Sequence, residues 1–140
     1  MAFKSFKNLL FGFAFSPSLR ENVFEVTRLA SFLNASLVFV HVGNKTSDKE
    51  AQFNSILNKC PDVPVDIELL WREGKPVNTL VSICKEKSVD LLLLGALKRE
   101  KMLKFYLGSI ARELTRKAPC SVLLMINPSI DRQPCKHIVE

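Results

Sequence analysis

Between Asp90 and Met125 the chain reads as a strand, a basic loop, a helix and a second strand, with a glycine at each end of the loop. The apolar run Leu91–Leu94 stops at Gly95, and a helical segment begins near Ser109, directly after Gly108. In an α/β protein, a glycine behind a strand and another at a helix N-terminus bring backbone N–H groups close to a phosphate. A third glycine inside the loop would help the chain wrap around phosphates. Lys98 stands at that place. Its Cβ forbids the positive-φ geometry a glycine allows, while its ammonium can add a charge-assisted bond to a phosphate. With Arg99, Lys101 and Lys104 it forms a basic cluster relieved by Glu100. Three readings of that cluster stay open: a solvated loop, an anion site of altered geometry, or a docking patch for an acidic partner.

The rest of the chain alternates in the same way. Leu9–Phe15 is a continuous apolar run, as expected for a strand covered on both faces. A helix follows, with Ser18-x-x-Glu21 as a capping box and Leu19, Val23, Val26, Ala30 and Leu33 at helical spacing. Leu37–Val42 reads as the second strand. Ser47-x-x-Glu50 caps a second helix with Phe53, Ile56, Leu57 and Cys60 inward. Val65–Trp71 alternates as a half-exposed edge strand does. Pro76 suits the first turn of a third helix, anchored by Val77, Leu80, Val81 and Cys84. Ser109–Lys117 is the fourth helix, with Ser109 as its N-cap, and Ser121–Ile126 the fifth strand. The expected fold is α/β: an open, doubly wound parallel five-stranded sheet with helices on both faces. Such sheets bind ligands at the C-terminal ends of their strands, beside the topological switch point.

Composition fits one domain over residues 1–127 and a tail over 128–140, where Pro128 and Pro134 interrupt the periodicity. Hydrophobic residues make up 47% of the 140, enough for a core. The opening MAFKSFKNLLFGFAF imitates a signal peptide, but a buried first strand explains it better. No apolar run approaches the roughly 20 residues needed to span a bilayer. A cytoplasmic protein without membrane insertion is expected, with Cys60, Cys84, Cys120 and Cys135 as free thiols. The net charge of +6 permits nucleic-acid contact, yet the bases are dispersed and no binding module is recognisable. Phe105 and Tyr106 beside the basic cluster read as core anchors, and Cys135 with His137 is too small a set for a metal. His41 reads as a structural, hydrogen-bonded residue. Common catalytic motifs are absent.

The 90–125 segment resembles the signature of the universal stress protein family, whose nucleotide-binding members show G-x2-G-x9-G-[ST] between their last two strands. Gly95, Lys98 and Gly108-Ser109 stand at those spacings, so the first and third glycines match and the second is a lysine. DLLLLG, APCSVLLM, FKNLLFGFAFSPS and LVFVHV are also similar to the family, and the resemblance spans roughly residues 4–127. It implies strand order 3-2-1-4-5, an adenine-nucleotide site holding ATP or AMP, and a homodimer joined through Ser121–Ile126. Candidate site residues are then Ala14, Ser16 and Val42 at strand ends, with Gly95, Lys98, Gly108, Ser109 and Ile110 around the loop. Family members that bind nucleotide usually carry an Asp after the first strand. Ala14 occupies that position, and Phe15 follows with a ring that can fill the adenine space. A lost hydrogen-bonding group of this kind costs about 1–3 kcal/mol. The expected function is a regulatory stress-response domain, non-catalytic and dimeric, with an unidentified protein partner and a degraded site that binds ATP or AMP weakly. Two alternatives remain: a nucleotide-dependent switch or slow ATPase, and an accessory regulatory domain of a membrane transporter.

Overall fold

The computed structural model describes residues 6–95 and 108–125. Its elements run β1 (Asn8–Phe13), α1 (Leu19–Leu33), β2 (Ser36–Val42), α2 (Ser47–Asn58), β3 (Ile67–Arg72), α3 (Pro76–Glu86), β4 (Leu91–Gly95), α4 (Ser109–Lys117) and β5 (Ser121–Met125). The strands form one parallel sheet in the order β3-β2-β1-β4-β5. That is the expected doubly wound arrangement, with its switch point between β1 and β4.

The apolar runs are continuous because both faces of the central strands are covered. Alternate side chains leave the sheet in opposite directions. Leu9, Phe11, Leu37, Phe39, Leu91 and Leu93 join Val23, Val26 and Phe53 in the core under α1 and α2. Leu10, Val38, Val40, Leu92 and Leu94 join Leu80, Ile83, Cys84 and Leu114 under α3 and α4. The edge strand β3 is only half-buried, as its alternation predicts. The three described cysteines are free. No described helix is long and apolar enough to cross a membrane.

Several boundaries move. β1 ends at Phe13 rather than Phe15, because the chain turns there, with the Ser16 N–H donating to the Ala14 carbonyl at 2.9 Å. β3 starts at Ile67; Val65 is fully exposed, just after Pro64, which lacks a ladder donor. Ser18 is the N-cap of α1 but makes no capping bond: its ψ of 3° departs from the extended backbone that aims a cap side chain at the first turn. At α2 the cap is Thr46, one residue before the expected serine, and its hydroxyl accepts from the Lys49 N–H at 3.1 Å. Cys60 follows α2 rather than lying within it.

The opposite end of the sheet is tied by Asp90. Its carboxylate accepts from the Lys7 and Asn8 N–H groups at 2.9 and 3.0 Å, while its own N–H donates to the Asn8 carbonyl at 2.9 Å. The starts of β1 and β4 are thus clasped, leaving their far ends to frame the switch point.

Candidate functional site

At that far end lies a cleft of about 690 Å³, within the roughly 300–1,000 Å³ usual for small-molecule sites. After β1 the chain passes Ala14 and Ser16, both exposed, before entering α1 at Ser18. Val42 closes β2 and Gly95 closes β4. At Gly95 a Cβ would stand 2.7 Å from the Asn22 side-chain nitrogen, so any larger residue there would make the Asn22 amide turn aside. At Gly12, inside β1, a Cβ would meet the Leu80 side chain of α3 at 3.0 Å.

The helix α4 enters the cleft by its N-terminus. Its N-cap is Gly108, one residue before the expected Ser109, and no side chain caps the helix. Gly108 has φ −60° and ψ 157°, open to any residue. The glycine's effect is therefore to leave the N-cap without a side chain, so the first N–H groups of α4 face the cleft without a capping acceptor. Ala14, Ser16, Val42, Gly95, Gly108, Ser109 and Ile110 all line this one cleft. Lys98, with its basic cluster, lies outside the described residues, as do Phe105, Tyr106, Cys135 and His137.

Phe15 behaves differently from the expectation. It is not among the lining residues. Its ring packs on the α1/α2 side, stacked on Trp71 at 6.1 Å and edge-on to His41 at 4.9 Å, with the Lys49 ammonium 5.9 Å from its centre. The ring thus joins an aromatic cluster beside the cleft instead of its lining. His41 fills its structural role: its Nδ1 lies 3.0 Å from the Phe13 carbonyl. A carbonyl only accepts, so Nδ1 carries the proton.

Sequence reasoning missed three walls. Asn22 is buried on the apolar face of α1, between Leu19 and Val23, where an amide is out of place in a core stripe. That misplaced amide was the available signal. Pro76 and Leu80 reach the cleft from α3 through the crossover, which no local motif announces. Among the described lining residues no side chain is acidic or basic apart from the imidazole of His41. The described lining residues form a largely apolar hollow with helix N-termini at its rim. Among the described residues it offers no pair of titratable groups to move a proton, and their arrangement suits holding an anion with an apolar or planar body.

The model of the universal stress protein family matches residues 44–125. Among curated proteins, universal stress proteins of Methanocaldococcus jannaschii and Methanothermobacter thermautotrophicus are each 32% identical over 66 residues, covering 47% and 46% of this chain. The chain spans only 38% and 44% of those relatives' length. Among solved structures, a universal stress protein in complex with cAMP superposes with a TM-score of 0.72 at 22% identity, over 88% of this chain and 98% of that one. An Arabidopsis thaliana universal stress protein family protein with AMP bound gives 0.58 at 15% identity, over 91% and 96%. At these identities the superpositions speak for the fold.

Proposed function

The chain belongs to the universal stress protein family, and from that premise we propose that it is a regulatory, non-catalytic member with a degraded adenine-nucleotide site, acting in the cytoplasm with a protein partner. The carrying observation is the contrast within one cleft. Gly95, Gly108 and Ser109 keep a strand end and an uncapped helix start together, while Ala14 brings no carboxylate to the nucleoside end. Two solved neighbours hold cAMP and AMP, which makes an adenine nucleotide the natural probe.

Calorimetric titration with ATP and AMP tests the reading. The wild-type chain should bind weakly. The double change Ala14→Asp and Lys98→Gly should tighten ATP by an order of magnitude or more, since each repaired contact is worth about 1–3 kcal/mol. Micromolar affinity in the wild type that is lost in Lys98→Ala would overturn it. That outcome favours the second reading, a nucleotide-dependent switch or slow ATPase, which draws on Phe15 standing clear of the cleft.

The same reading includes a homodimer through β5. This strand pairs only with β4 among the described strands, and Leu123 on it is 40% exposed. A second copy would cover an edge that otherwise invites uncontrolled pairing. Sedimentation at micromolar concentration should show a dimer that Leu123→Lys weakens. A monomer at high concentration would end this part of the proposal.

A further inference from the structure

Two thiols meet in the layer under α3 and α4. Cys84, in the last turn of α3, is buried; Cys120, directly before β5, is half-buried. Cys84 belongs to that layer's core and Cys120 packs against it. The backbone holds both in place. The Cys84 carbonyl accepts from the Val89 N–H at 2.9 Å, just before β4, and Leu91 at the start of β4 pairs with Ser121, the neighbour of Cys120. The two side chains are hydrogen-bonded to each other. Burial raises both thiols above their ordinary range; the bond between them adds to the rise at Cys84 and opposes it at Cys120, so Cys84 donates and the Cys120 sulfur accepts. Among the described residues no third His, Cys, Asp or Glu joins them to hold a metal. Cys60, the remaining described thiol, lies across the sheet against the core under α1 and α2.

We propose that Cys84 and Cys120 form a reversible redox site, which closes as an intrachain disulfide and clamps α3 to the start of β5. The oxidant is a low-molecular-weight organic disulfide. Cys120, the more exposed sulfur and the acceptor of the pair, gives up its proton and attacks one sulfur of the oxidant, expelling the other as a thiolate. Cys84 then gives up its proton and attacks the Cys120 sulfur, expelling the second thiolate. The two protons go to the two expelled thiolates. The pair is thus oxidised by two electrons, and the oxidant is reduced to two small thiols. Thiols kept protonated by burial attack slowly, and they are also poor leaving groups. The bond therefore forms slowly and resists reduction once made.

The test treats the reduced full chain with excess oxidised glutathione, blocks the remaining thiols by alkylation and maps the peptides by mass spectrometry. The wild type should yield a Cys84–Cys120 linked peptide lighter by two hydrogens, with Cys60 outside the link. In Cys84→Ser, glutathione should stay on Cys120, at least about tenfold above the wild-type level, because no second sulfur displaces it. In Cys120→Ser the buried Cys84 should carry no glutathione. The oxidised wild type should melt about 5 °C or more above the reduced chain, and dithiothreitol should remove the difference. The wild-type map stands even if a variant fails to fold. Glutathione left on wild-type Cys120 without a link, a link from either cysteine to Cys60 or Cys135, or no modification of the pair would overturn the proposal. So would a linked chain that melts below the reduced one, since the fold would then not accept the clamp.

Discussion

Helix α2 and the three helices around the cleft are finished by different rules. The first begins with a formed cap, Thr46 on the Lys49 N–H, and carries Asp48 and Glu50 in its first turn. No residue of α2 lines the cleft. The starts of α1, α3 and α4 all line it, and all lack a side-chain cap; α3 even has Lys75 at its N-cap, a cation at the positive end of a dipole. The starts without a side-chain cap are thus the ones at the cleft, where the proposed anion would supply an acceptor. Anchoring differs in the opposite sense. In α2 a single side chain, Phe53, is fully buried, whereas α1 and α3 each bury several.

The strongest way to break this contrast is Phe53→Ala. Its ring meets Phe13 at 4.8 Å and Phe39 at 4.9 Å. The substitution should cost about 3–5 kcal/mol in urea unfolding, and a loss near 1 kcal/mol would show that Ile56 and Leu57 hold α2 unaided. Next comes α3, anchored partly through Cys84. Burial, with the Cys120 thiol beside it, pushes the Cys84 thiol from its ordinary 9.0 up to about 12. The fold holds the protonated form, so stability is intact below pH 9 and falls as the pH rises toward 12. Unfolding curves across that range should drop for the wild type and flatten in Cys84→Ala; equal alkaline losses would refute the assignment. The smallest effects are a mirrored pair. Thr46→Ala should destabilise by about 1 kcal/mol and leave ligand binding alone, while Lys75→Asp should stabilise by about 1 kcal/mol and weaken anions in the cleft. Should Lys75→Asp leave anion affinity untouched, the α3 start has no part in the site.

Sequence patterns carried far where the physics was local. The buried strands were readable because a sheet covered on both faces demands unbroken apolar runs, and α3 and α4 were readable from Pro76 and from the glycine before Ser109. The two S-x-x-E patterns misled for separate reasons. At Ser18 the backbone dihedral turns the hydroxyl away from capping, and at Ser47 the preceding threonine takes the cap. The cleft was legible as far as strand ends and the glycine-flanked loop mark it. Asn22, Pro76 and Leu80 were not, because they arrive through packing between distant segments. Phe15 was misread for the same reason: its direction depends on Trp71 and His41, contributed by neighbouring strands.

The Asp90 clasp also bears on when the cleft can form. Lys7 and Asn8 lie more than eighty residues from Asp90 in sequence, so the loop that this contact closes is long and slow to form. During synthesis β1 waits at the centre of the sheet until β4 emerges, and only that docking sets Gly95 beside the end of β1. An early fragment ending before β4 has strands and helices but no cleft. A ligand in the cleft would therefore brace segments far apart in sequence rather than one loop.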